Sequence, residues 1–337
     1  MKLPKSGISA LWIVLSVIVG MTFSPRAADA GESALKKLTL AYTAFSPSLM
    51  RFSLEKELGF FREEGLSPEL ILVRGGGIAV RGLIAGNFDY VIPTGPVADA
   101  AIRSRQPLKV ILTSWMSNYW IMAQPQILSI TDLKGKTIGA ASPGSVTEII
   151  MREILKRHGL DPFKDATFLG FGASSERLAA LTSRTVHATL LGAPFNFRAV
   201  EMGYRKLAIT GDYLKWPAGG LGTREEKILR EPGEVSKVVR ASYKGHKFLM
   251  TQREYILSKI RQIFGLTQAD AIQTYETIIE ESLPSGYDSE DAERTIISVM
   301  KQAANITEDI PPQRVFDYRF VKQVEQELKG WKPQVPR

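Results

Sequence analysis

KTIGAASPGSVTEIIMREILKR, residues 136–157, decides the architecture. Its first five residues are a short apolar run, and Ser142-Pro143-Gly144 then turns the chain into an amphipathic segment beginning at Ser145. The stretch predicts a strand over 136–140 and a helix over 145–157. A strand delivered through a small turn into a helix is the unit from which mostly parallel sheets, covered by helices on both faces, are built. The grammar continues downstream, with strands predicted at 167–169, 188–191 and 206–209 and helices at 174–181 and 195–202.

Upstream the pattern is the same. Strands are predicted at 38–42, 69–73, 88–92, 108–113 and 119–123, with helices at 48–62, 78–85 and 97–103. The series halts at Pro125 and restarts, which predicts two similar α/β lobes with the second inserted in the first. On this reading the first lobe is 31–118 together with 223–337, and the second is 126–210. The crossings fall at 119–125 and 211–222, where proline and glycine suit segments that leave one sheet and enter another. Beyond Thr223 the chain reads as helical, over 232–264, 267–281, 289–305 and 318–328. Thr267 with Asp270 makes a capping-box start for one of these helices. They are expected on the first lobe and around its back. No repeat of solenoid period is present.

The N-terminus has the order of a secretory leader: Lys2 and Lys5, an apolar run from Ile8 to Met21, then Ala28-Asp29-Ala30. That apolar run is shorter than the roughly 20 residues of a bilayer span. Cleavage after Ala30 and a soluble periplasmic product are therefore expected. The 337 residues include no cysteine. This removes thiolate chemistry, cysteine metal sites and the lipidated cysteine of a tethered lipoprotein. The net charge is +8, yet the basic residues are scattered and no basic run is interleaved with aromatics, which argues against nucleic-acid binding.

Enzyme signatures fail one by one. Gly75-Gly76-Gly77 suggests a dinucleotide turn, but Val80 stands where glycine or alanine is needed. Gly135-Lys136-Thr137 resembles the end of a Walker A loop, but its partner glycine is replaced by Ile130. There is no G-x-S-x-G elbow. His158, His187 and His246 fall at no metal-ligand spacing. No catalytic residue, metal or cofactor is assigned.

In paired α/β lobes the loops after the strands' carboxyl ends face a crevice, where ligands bind. In the first lobe these loops supply Phe45, Ser46 and Ser48, then Gly76, then Thr94 and Gly95. The second lobe supplies Ser142 and Ser145, then Ala193 and Pro194, and Tyr119 and Trp216 lie near the crossings. These twelve residues are the candidate ligand site. Small and hydroxyl residues recur in every such loop, although each loop alone would suit a plain turn or helix cap. Helix starts and a glycine nest at 75–77, with Arg74 beside it, favour an anion. A capping box of Ser145 with Glu148 opposes one. Anionic, zwitterionic and neutral heteroaromatic ligands all stay open.

Three stretches carry a family resemblance: LGFFREEGL at 58–66, LIAGNFD at 83–89 and DLKGKTIG at 132–139. In their order and spacing the chain resembles the substrate-binding proteins of ABC importers in the aliphatic-sulfonate, taurine and thiamine-precursor group. The resemblance implies a type II periplasmic-binding fold, α/β and two-lobed, with a hinge and added C-terminal helices. It also implies closure on a small molecule and delivery to an ABC permease in the inner membrane, by a monomer. Arg184 and His187 depart from the group's usual glycine and aspartate. A related eukaryotic enzyme makes the thiamine pyrimidine with a cysteine-rich motif, which this chain lacks. A pyrimidine-synthase-like enzyme and a periplasmic ligand-sensing module are the alternatives.

Overall fold

The computed structural model describes residues 35–335, except for 44 and 45. The leader predicted at 1–30 and the candidate Phe45 lie outside the described residues. Ten strands form two five-stranded sheets. They are β1 Lys36–Tyr42, β2 Leu66–Leu72, β3 Tyr90–Val91, β4 Leu108–Ser117 and β5 Trp120–Ala123, followed by β6 Lys136–Ala140, β7 Ala166–Gly170, β8 Ala188–Leu191, β9 Arg205–Ile209 and β10 Trp216–Arg224. The first sheet has the order β2-β1-β3-β10-β4 and the second β7-β6-β8-β5-β9. In each, three parallel strands are joined to the rest through a strand running antiparallel to its neighbours: β10 in the first, β5 in the second.

The mixed α/β class follows from the alternation read in the sequence. One strand does not: β10 occupies 216–224, which reads as a crossing. Likewise Trp120–Ala123 is β5, fully inside the second sheet. The chain passes between sheets at residues 118–119 and again at 210–215. Gly211 N–H donates to Asn118 Oδ1 at 3.3 Å, tying the two crossings together.

The two lobes reuse one local device. In the first, Thr39 N–H and hydroxyl donate to Asp89, with the backbone bond at 2.8 Å. In the second, Thr137 N–H donates to His187 Nδ1 at 3.2 Å. Thr39 and Thr137 both sit fifty residues before their partners, so His187 does for β6 what Asp89 does for β1. Arg184 holds φ +60°, the left-handed turn conformation that glycine adopts without cost, so the turn keeps its shape despite the substitution.

The C-terminal helices cover the first sheet. Helix Pro232–Thr251 packs on Pro47–Glu57, on Phe60–Glu63 and on the last helix, Arg319–Glu327. The helix predicted over 48–62 is interrupted by Gly59 at φ +83°, and the one over 232–264 breaks at Gln252. Thr267 caps Gln268–Glu281 as its sequence predicts, accepting from Asp270 N–H at 3.2 Å.

Candidate functional site

A cavity of about 310 Å³ lies between the lobes. Six helices begin at its wall: Pro47–Glu57, Gly76–Ile84, Thr94–Arg103, Val146–Arg157, Ser174–Thr182 and Phe195–Glu201. The geometry follows from the grammar of the chain. Strands that end together and run straight into helices bring the helix N-termini together, with their free amides and the positive ends of their dipoles.

The structure places Ser46, Ser48, Gly76, Tyr119, Ser145 and Ala193 in the cavity wall. Thr94, Gly95, Ser142, Pro194 and Trp216 are not part of it. Trp216 is fully buried, its ring edge against Gly95: a Cβ on Gly95 would lie 2.5 Å from Trp216 Nε1 and 2.7 Å from Val146 Cγ2. This tryptophan packs between Gly95 of the first lobe and the region of Val146 of the second, and its ring is not part of the cavity wall. Thr94 is also fully buried. Ser142 stands opposite Gly75, where a Cβ on Gly75 would be 3.4 Å from its Oγ, so the lobes come close there. Pro194 follows a cis peptide bond after Ala193.

Around helix Val146–Arg157 the hydroxyls are committed to the loop. Ser145 Oγ accepts from Ser142 N–H at 3.2 Å and pairs with Thr147 Oγ1 at 3.0 Å, while Thr147 Oγ1 accepts from Ala141 N–H at 2.9 Å. Glu148 reaches back to Gly144 N–H at 2.8 Å rather than to Ser145. The box is thus displaced by one residue, and Ser145 makes no cap bond of the ordinary kind. Ser145→Ala is expected to cost about 1 kcal/mol, measured by denaturant unfolding, because it removes the acceptor for a backbone amide. Unchanged stability would show that the loop does not depend on this hydroxyl.

Arg177 was not singled out by the sequence, yet it organises the second-lobe wall. It is 3% exposed. Its Nε donates to Leu190 O at 2.9 Å, Nη2 to Ser174 Oγ at 3.0 Å, and Nη1 to Gly172 O. Ser174 Oγ in turn accepts from Gly192 N–H at 3.3 Å. One guanidinium therefore fixes two cavity loops. The part that helix Gln268–Glu281 takes in the wall was also missed: Thr274, Thr277, Ile278 and Glu281 line it. The signal was available as spacings of three, four and seven, which place these residues on one helical face.

A group of buried charges sits behind the wall. Arg51 is buried, with Nε 3.1 Å from Glu55 Oε1 and Nη1 3.0 Å from His246 Nδ1. Burial pushes the Glu55 carboxyl up to about 8, against the pull of Arg51 and of the Ser242 hydroxyl. Burial and the adjacent Arg51 hold His246 down to about 3, so it is neutral. Among the described residues no group of three or more His, Asp or Glu is arranged to hold a metal ion.

The three stretches that carry the resemblance lie elsewhere. Gly59 and Gly65 take positive φ around buried Phe60 and Phe61; Arg224 donates to Leu83 O and Phe88 O; Asp132 accepts from Leu128 and Ser129 N–H. They build turns that lead into strands.

The sequence profile of the family described as NMT1/THI5 like matches residues 46–255. No curated protein matches the chain in sequence. Among solved structures it is similar to a Bordetella bronchiseptica RB50 protein, with 20% identity, a TM-score of 0.75, and 86% of this chain and 97% of that one covered. It is also similar to the alkanesulfonate-binding protein of Xanthomonas axonopodis pv. citri, solved with MOPS bound (19% identity, TM-score 0.65, 88% and 99% covered). A third is the periplasmic nitrate-binding protein of Synechocystis PCC 6803 (13% identity, TM-score 0.71, 88% and 89% covered). These likenesses show the periplasmic-binding-protein fold.

Proposed function

The chain belongs to the NMT1/THI5-like family, and from that premise we propose that it is an exported solute-binding protein that captures a small organic molecule between its lobes and hands it to an ABC importer. The observation that carries this reading is a cavity of about 310 Å³ walled by both lobes and by the starts of six helices. That volume is at the low end for ligand pockets and suits a compact molecule. Converging amides favour an oxyanion group on it, such as a sulfonate or carboxylate. Two similar folds are those of proteins described as alkanesulfonate-binding and nitrate-binding, which supports the same choice. The protein acts as a monomer in a periplasm, binds its ligand without chemistry, and meets the permease in the inner membrane.

The joined crossings at 118–119 and 210–215 serve as the hinge, because two short connections let compact lobes rotate without remodelling either sheet. Ser46 and Ser48 from the first lobe, with Tyr119, Ser145 and Ala193, contact the ligand, and Thr94, Gly95, Trp216 and Ser142, which faces Gly75 across the lobes, support closure. Mass spectrometry of small molecules released from freshly purified protein tests the function directly: one stoichiometric organic acid is expected, and its absence under every growth condition counts against transport. Scattering with that molecule added is expected to show a smaller radius of gyration than without it. An unchanged radius at saturation would remove the hinge from this account.

A further inference from the structure

One carboxylate in the cavity wall has nothing to balance it. Glu281 ends the helix that lays Thr274 and Ile278 against the cavity, and it also faces a small void of about 10 Å³ shared with Ser48, Arg51, Trp115 and His246. Among the described residues no cation and no hydrogen-bond donor acts on it; what bears on it is its burial and the like charge of Glu280. The facing groups can be counted. Arg51, across the void, already lies 3.1 Å from Glu55 and 3.0 Å from His246 Nδ1. His246 Nε2 donates to Leu283 O at 2.7 Å, and the ring is kept neutral by burial and by Arg51. Tyr119, from the crossing, senses Glu281 as a raising charge on its own phenol, after the larger effect of burial. Of the other guanidiniums in the wall, Arg177 is bonded to Leu190 O, Gly172 O and Ser174 Oγ, and neither it nor Arg74 bonds Glu281, which is left without a partner among the described residues.

A second observation lies one helical turn pair earlier. Thr274 is fully buried in the same wall, and its Oγ1 has no partner among the described residues. An unpaired hydroxyl and an unpaired carboxylate on one helical face, beside the rings of Trp115 and Tyr119, form an acceptor-rich corner with apolar sides. Such a corner recognises a cationic nitrogen, whose N–H groups donate to the carboxylate and whose charge is tolerated by aromatic faces. Once ionised, it repels a plain anion.

We propose that Glu281 and Thr274 form a subsite for a protonated nitrogen, so that the ligand carries an amine-type group as well as the oxyanion that the helix starts attract. The inference rests on the solute-binding reading and narrows its ligand class. It also makes binding proton-coupled. Burial and Glu280 push the empty-state carboxyl up to about 8; a bound cation restores its ionised form, so binding releases a proton below that pH. Affinity therefore rises as pH rises toward about 8.

The test compares paired ligands that differ only in the amine. The probes are amine-bearing and amine-free sulfonates and carboxylates of two to six carbons, such as 2-aminoethanesulfonate with ethanesulfonate and 3-aminopropanoate with propanoate. They are titrated calorimetrically into the full mature chain and into Glu281→Gln. For at least one pair, the amine-bearing member is expected to bind about tenfold or more tightly. In Glu281→Gln that preference is expected to collapse, together with the proton release seen between buffers of different ionisation heat. Glu281→Gln is also expected to melt with wild type at pH 5 and above it at pH 8. A carboxyl raised in the folded state contributes stability that is lost as pH rises through its folded value, and glutamine has nothing to lose. Equal or tighter binding of the amine-free members overturns the inference, and so does failure of every pair to bind. The solute-binding reading itself falls only if freshly purified protein also releases no small molecule.

Discussion

Gly220→Ala is expected to cost about 3 kcal/mol of folding stability or more, at the upper end of what overpacking does. Gly220 lies in β10, between β3 and β4, where the register shifts on both sides of it. A Cβ there would stand 1.9 Å from Leu112 O and 2.9 Å from Thr113 Cα. Both atoms belong to the backbone of β4, so no rotamer change relieves the overlap; the strands must part. By contrast, the added carbon at Gly82 would meet the ring of Phe88, which can swing. Gly233, with nothing within 4 Å of its missing Cβ, is the control. Gly233→Ala is expected to be neutral or stabilising by up to about 1 kcal/mol, the helix-propensity difference. Denaturant unfolding of the two variants decides the matter. If Gly220→Ala falls within about 1 kcal/mol of wild type, β10 does not pair with β4 in this register.

Arg177→Met is expected to lose about 3 kcal/mol of stability and most of the ligand affinity. Charge-assisted bonds are worth about 1.5–3 kcal/mol each, partly offset by relief of burying the charge. Removing the guanidinium leaves Leu190 O and Gly172 O without this donor and frees Ser174 from it. The loops at 171–174 and 192–194 then lose their common anchor. Arg177→Lys keeps a charge but cannot span three acceptors from one planar group, so an intermediate loss is expected. Denaturation midpoints for the three proteins, with calorimetry on the released ligand, give the measurement. Wild-type stability and affinity in the methionine variant would mean that the loops hold themselves.

What the sequence revealed and what it hid can be traced to particular residues. The alternation of apolar runs and amphipathic segments marks strand-to-helix units, because burial on one face demands it, and nine strands were legible this way. β10 was not, because Pro217, Gly219, Gly220 and Gly222 have the composition of a loop. Its glycines answer a different demand: Gly219 faces the ring of Trp115 and Gly222 faces Val97, each closer than a Cβ allows. Residues of the cavity wall were legible where a strand enters a helix, as at Ser46, Gly76 and Ser145. Trp216 was misleading because position near a crossing says nothing about which way a ring turns. Glu281 and Thr274 were hidden because they belong to a helix far along the chain, whose contact with the cavity is purely tertiary. The family resemblance rests on turn-building stretches away from the cavity, so it speaks to fold and leaves the ligand open.

The strand order of the first sheet has a consequence for how the chain acquires its structure in time. β4 is joined to β1–β3 only through β10, whose residues come after the whole of the second lobe. Until residues 216–224 arrive, β4 has no neighbour on its inner edge and the first sheet stays split. Contacts between positions about a hundred apart are slow to form, since loop-closure entropy is lost before pairing compensates it. The first sheet is therefore expected to close late, only after Arg224 of the 337 residues has emerged. Under the export proposed above, a sheet that cannot close early keeps the chain open for passage across the membrane.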